Sequence, residues 1–198
     1  MADPLNILVV APHAPPKNTA EAIQVWRILT ELDKHASGRL VKIIPNSSSS
    51  WELYDASLEL NLKHFDTQLL KLPMHRVASS VLMSHRMARF HVPDSAMWIK
   101  WKSHEIARAL RTKPDLIYSR SSPMSGALLG AKLKRELGVP WIMHLSDPWA
   151  DSLYKSFSPR DAALEAECFE QADLASLTTE GQAEFYRQKY PHCADRIF

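Results

Sequence analysis

The sequence predicts an α/β domain built on a doubly wound, mainly parallel sheet with helices on both faces. Three observations predict it. Short apolar, β-branched runs recur along the chain, segments of helical periodicity separate them, and turn residues fall between the two. Strands that alternate with helices pair in parallel through crossovers, so the sheet is buried on both faces.

The first strand is read at Leu5 to Ala11 (LNILVVA), whose unbroken apolar character suits a central position. Pro12 to Thr19 is a proline-punctuated loop, and Thr19 is placed to cap a helix with apolar positions Ala22, Ile23, Trp26, Leu29 and Leu32. Arg39 to Pro45 is the second strand, and the serines 47–50 form a polar loop. A short third strand is expected at Thr67 to Leu72. Arg76 to Phe90 and Ala96 to Leu110 read as helices split by Pro93-Asp94. Leu116 to Tyr118 is the next strand, closed by a loop Ser119 to Pro123. A helix from Met124 to Leu137 follows and ends at Gly138, where a left-handed residue is wanted. Pro140 to Leu145 and Ala172 to Thr178 are strands, and Arg160 to Gln171 and Glu180 to Tyr190 are helices. No repeat or glycine-rich linker divides the chain, so residues 1–198 are expected to form a single Rossmann-like domain.

Composition excludes several function classes. Lys and Arg number 24 against 22 Asp and Glu, too even a balance for the basic surface that nucleic acid requires. Cys168 and Cys193 show no CxxC spacing, so neither a disulfide framework nor a cysteine zinc site is expected, and a cytoplasmic location follows. The nine histidines show no HxxxH or HxH pairing, and no metal or other cofactor is expected. No run approaches the ~20 apolar residues of a membrane span. The segment His75 to His91 places Arg76, Arg86 and Arg89 among Val77, Val81, Leu82 and Phe90. It reads as a solvated helix or, alternatively, as one resting peripherally on anionic lipid.

Ligands of an open parallel sheet bind beyond the carboxyl ends of its strands. Three loops occupy that edge. The first carries His13, Lys17, Asn18 and Thr19, polar groups able to meet a sugar or phosphate, but it has no GxGxxG, which disfavours a nicotinamide dehydrogenase. Asn18 and Thr19 either bind a ligand or only cap the helix. The second carries Arg120, one residue past the expected strand end and placed to meet an anion, together with Ser121. The third, Ser146-Asp147-Pro148-Trp149-Ala150-Asp151, offers two carboxylates and an indole, a set suited to sugar hydroxyls. Its alternative reading has Asp147 starting a turn and Trp149 packing on a neighbour. His144, inside the fifth expected strand, is either a core histidine or a ligand-facing one.

The segments KPDLIYSRSSPMSGALLGAKLKRELGVPWIMHLSDPWAD and ADLASLTTEGQAEFYRQKYP, with PDSAMWIKW before them, resemble the acceptor domain of retaining GT-B glycosyltransferases of family 4, or group 1. The likeness covers about four-fifths of the chain and is strongest from Pro93 to Pro191. It implies one half of a GT-B fold, and transfer of a sugar from a nucleotide sugar to a glycan or lipid-linked acceptor in the cleft between two domains, without a metal. It places Ser146, Asp147 and Trp149 towards the reacting sugar, with Asp147 as the candidate catalytic side chain. Lys17, Asn18 and Thr19 face the donor phosphates. Where many members have Gly-Gly in the first loop, Asn18-Thr19-Ala20 stands here, and Ser146 replaces an Arg common before Asp-Pro-Trp. Arg196 to Phe198 reads as the opening of a further strand, where such enzymes cross into the nucleotide-sugar-binding domain. That C-terminal partner domain is expected to be absent from this polypeptide, which alone is expected to be inactive. A stand-alone binding or regulatory module and half of a GT-B sugar-nucleotide epimerase are the alternatives.

Overall fold

The computed structural model describes residues 4–44, 55–59, 61–71, 102–121, 124–153 and 158–198. Six strands, β1 (Leu5–Val10), β2 (Ala36–Ile44), β3 (Phe65–Lys71), β4 (Leu116–Ser121), β5 (Trp141–Leu145) and β6 (Leu174–Leu177), form one sheet in the order β3-β2-β1-β4-β5-β6. Every pairing is parallel. This is the Rossmann-like doubly wound order, and the winding reverses between β1 and β4.

Side-chain alternation along β1 explains its central place. Ile7 and Val9 join a core with Leu40, Phe65 and residues Val25 and Leu29 of helix α1 (Ala20–Leu32). Leu8 and Val10 point into the larger core on the other face. That core takes Ile106 of α2 (Ser103–Ala109), Leu129 and Leu133 of α3 (Ser125–Leu137), Phe169 of α4 (Pro159–Gln171) and Tyr186 of α5 (Glu180–Lys189). Each such side chain contributes about 1.5–3 kcal/mol on burial. Helices therefore cover both faces.

Helix ends follow local chemistry. Thr19, Ser158 and Thr179 cap α1, α4 and α5 by accepting from Ala22, Asp161 and Gln182 N–H groups. Gly138, at φ 61°, ends α3 in the left-handed region and donates its N–H to Lys134 O.

Two strand boundaries differ most from the sequence reading. β2 begins at Ala36, three residues before the expected Arg39, because Ala36 to Gly38 pair with Leu5 to Ile7. Glycine is required in that stretch, since a Cβ on Gly38 would stand 1.9 Å from Ile7 O. β4 runs on through Ser119, Arg120 and Ser121, expected as loop, because Arg120 and Ser121 pair with His144 and Leu145. Their polarity is met inside the protein; Ser119 Oγ, for example, accepts from Trp141 Nε1 at 2.8 Å. The expected strand at Arg196 to Phe198 is reduced to a single parallel bridge between Ile197 and Ala175, after a 3-10 segment Pro191–Arg196. The serine loop, the helix Arg76–Phe90, its basic segment His75–His91 and residues 96–101 lie outside the described residues. No helix among the described residues is long and apolar enough to cross a membrane.

Candidate functional site

A cleft of about 590 Å³ lies at the carboxyl edge of the sheet. His13 enters it from the β1–α1 loop, Thr19, Ala20, Glu21, Gln24 and Ile28 from the start and one face of α1, and Arg120 from the end of β4. His144 comes from β5, Ser146 and Asp147 from the β5–α4 loop, and Leu177 and Thr178 from the end of β6. The strand reversal creates the opening, because the crossovers that leave β1 and β4 diverge to opposite faces.

An ion pair forms the cleft floor. Arg120 Nε donates to Glu21 Oε1 at 2.8 Å and Nη2 to Oε2 at 3.0 Å, a two-point pairing between side chains 99 residues apart. Ser146 Oγ donates to the same Oε2 at 2.8 Å, and the Tyr118 hydroxyl accepts from Arg120 Nη1 at 3.4 Å. Burial is the largest single influence and lowers the guanidinium pKa, but the hydrogen bonds and charges of Glu21 and Tyr118 together outweigh it and raise it. Arg120 is thus a charged group already matched by a carboxylate. This corrects the expectation of a side chain held out to an incoming anion.

His144 stands beside this pair. Burial first, and the positive charge of Arg120 second, bring its pKa down to about 4, with Glu21 opposing. The imidazole is neutral near pH 7, and its Nδ1 lies 3.2 Å from Ser176 Oγ. A neutral ring in a cleft can both donate to and accept from a hydroxyl. The loop that follows is pinned at its start. Ser146 N–H donates to Ser121 O at 3.0 Å, and Ser146 O accepts from Thr178 Oγ1 at 2.9 Å.

The structure brings His13, Thr19, Arg120, His144, Ser146 and Asp147 together along the cleft. Thr19 both caps α1 and lines the opening, so its two readings are compatible. The remaining expected residues do not line it. Lys17 is buried in the first loop and Asn18 is exposed beside it. Ser121 is buried at the strand end, where its carbonyl holds the next loop. Trp149 is a correction: it is 2% exposed and belongs to the core on the far face of the sheet, where its N–H donates to the Tyr186 hydroxyl. Asp151 is exposed and ion-pairs with Lys189 of α5.

Sequence reasoning missed Glu21, Gln24, Ile28, Leu177 and Thr178. A signal was present for the first three, which recur at spacings of three and four and so share one face of α1. Among the described residues no group of three or more His, Cys, Asp or Glu is arranged to hold a metal ion.

The family model for the glycosyl transferase 4-like domain matches residues 64–197. No curated protein matches the sequence significantly. Solved structures do match. A UDP-N-acetylglucosamine 2-epimerase aligns at 13% identity and a TM-score of 0.58, over 94% of this chain and 45% of that one. Medicago truncatula UGT71G1 complexed with UDP-glucose aligns at 14% identity and a TM-score of 0.51, over 98% of this chain and 50% of that one. These likenesses establish the shared fold, and the chain spans about half the length of the structures it matches.

Proposed function

The chain belongs to the glycosyl transferase 4-like family, and from that membership we propose that it is the acceptor-side half of a retaining GT-B transferase. Its reaction moves a sugar, a hexose as a first assignment, from a nucleotide sugar to a glycan or lipid-linked acceptor. The observation that carries the reading is the cleft at the strand reversal, whose polar wall combines hydroxyls, a neutral imidazole and the carboxylate of Asp147. Such a wall suits a sugar, whose hydroxyls need donors and acceptors in alternation.

The division of labour follows from what this wall lacks. The β1–α1 loop from Pro12 to Thr19 contains no glycine, so its backbone offers no close cradle for a pyrophosphate. The nucleotide is then held chiefly by a second domain. This chain alone is expected to be inactive. His144, Ser146 and Thr178 fix the acceptor, and Asp147 accepts a hydrogen bond from the hydroxyl that attacks, raising its nucleophilicity. The proton passes onward to the leaving phosphate on the same face of the donor sugar, which gives retention. The free, buried thiols of Cys168 and Cys193 are in keeping with a cytoplasmic site.

The test compares the full-length protein with residues 1–198 alone. Each is assayed for transfer and hydrolysis with a panel of UDP-, GDP- and TDP-sugars, and product anomers are assigned by NMR. Retained transfer by the longer protein only, slowed at least about 100-fold by Asp147→Asn, is the expected result. If neither chain binds or turns over any nucleotide sugar, the transferase reading fails and a binding module takes its place.

A further inference from the structure

Glu165 lies outside the cleft and belongs to none of its walls. It projects from α4 into the core and is fully buried, yet it accepts four hydrogen bonds. Ala150 N–H and the Tyr186 hydroxyl donate to Oε2 at 2.8 and 3.1 Å. The Tyr190 hydroxyl and Lys189 Nζ donate to Oε1 at 2.7 and 2.5 Å. Four donors match the roughly four acceptor sites of a carboxylate. A buried carboxylate satisfied this completely is an anchor for whatever its partners hold.

Its partners hold one loop. Ala150 is bound by Glu165 directly. Trp149 N–H donates to the same Tyr186 hydroxyl that donates to Glu165, and Asp151 pairs with the same Lys189. Three consecutive residues of the β5–α4 loop are therefore tied to a single buried carboxylate. Burial raises the pKa of both tyrosine hydroxyls, so each stays a donor. The Lys189 ammonium, lowered by burial alone, is raised overall by its bonds to Asp151 and Glu165 and stays charged.

At the other end of the loop Ser146 is fixed by Ser121 and Thr178. Between the two sets of anchors stand only Asp147 and Pro148, and Pro148 has a ring-locked φ. We propose that Glu165 is a positioning residue, which from inside the core sets the backbone on which Asp147 is presented to the cleft. The role rests on the transferase reading for what Asp147 does, and on the hydrogen bonds alone for the anchoring.

Glu165→Gln tests it in the full-length protein, because an amide keeps the shape but cannot accept from all four donors. Hydrogen exchange of peptides spanning residues 146–153 is expected to quicken by about tenfold or more, with β1 and β4 unchanged. Turnover should fall about 10- to 100-fold while the donor KM stays within about twofold. On an Asp147→Asn background the same change should lower turnover by less than about threefold, since the two act through one group. If Glu165→Gln does not fold, Tyr186→Phe removes one shared hydroxyl, keeps the ring and should loosen the same peptides. Faster loop exchange in a protein without transferase activity would sink the transferase reading and leave the anchoring intact. Unchanged loop exchange, or turnover losses that multiply in the double variant, overturns the proposal.

Discussion

Two carboxylates, one half-buried and one fully buried, grip the same loop from opposite sides of the sheet. Glu21 reaches it from α1, takes two hydrogen bonds from Arg120 and one from Ser146, and lines an open cleft. Glu165 reaches it from α4, takes four hydrogen bonds and is sealed in the core among Phe169, Tyr186 and Tyr190. A sealed carboxylate can only hold the scaffold. One at a cleft wall also sets the electrostatics that a ligand meets, and water can replace its partners when they are lost.

The largest effect expected from this contrast is on stability. Glu165→Ala takes the acceptor from two buried tyrosine hydroxyls and the Ala150 N–H and leaves Lys189 with Asp151 as its remaining carboxylate, which costs about 3–5 kcal/mol. Glu21→Ala should cost about 1–3 kcal/mol, because Arg120 can turn towards the cleft and be hydrated. Urea unfolding of both variants measures the difference. A Glu21→Ala loss equal to or larger than that of Glu165→Ala would break the comparison.

A smaller effect sharpens the electrostatic side. His144 titrates at about 4 in the folded protein against an ordinary 6.5. Between those values the unfolded chain binds a proton that the folded chain refuses, so stability falls as pH drops from 6.5 towards 4. Above 6.5 this group contributes no pH dependence. The loss is on the order of 2 kcal/mol, discounted for partial solvent contact of the ring. Unfolding of the wild type and His144→Gln at a series of pH values isolates it, and equal slopes would remove the histidine from the account. Ring titration by NMR divides the cause further. Arg120→Met should raise the His144 pKa by removing the repelling charge, and Glu21→Gln should lower it.

The same contrast shows what could be read from the sequence. β1 was legible because an apolar run buried on both faces has one natural home, a central parallel strand. The polar end of β4 was not, because Arg120 is buried only by virtue of Glu21, a partner 99 residues away. Strand-end loops drew attention to His13, Thr19, His144, Ser146 and Asp147, and these residues line the cleft. Glu21 escaped because an acidic residue in the first turn of a helix already has a local explanation in the helix dipole. Trp149 was misplaced for the opposite reason. An indole beside two carboxylates looks like a sugar platform, and only the return of α5 beneath the loop turns it into core.

The smallest stability effect is expected at Asp147, which sharpens the comparison from the third side. Asp147 is exposed and lies between the two anchored ends of the loop, so its side chain supports neither. Asp147→Asn should leave unfolding free energy within about 0.5 kcal/mol of the wild type. In the full-length enzyme the same change should lower turnover by at least about 100-fold, the scale of a lost proton-accepting contact in the transition state. The two measurements have to diverge for the argument to hold, because anchoring residues cost stability when altered and the residue they present costs only rate. A large stability loss would make Asp147 a third anchor, and unchanged turnover would move the reacting hydroxyl elsewhere along the cleft, with the neutral His144 as the next group to alter.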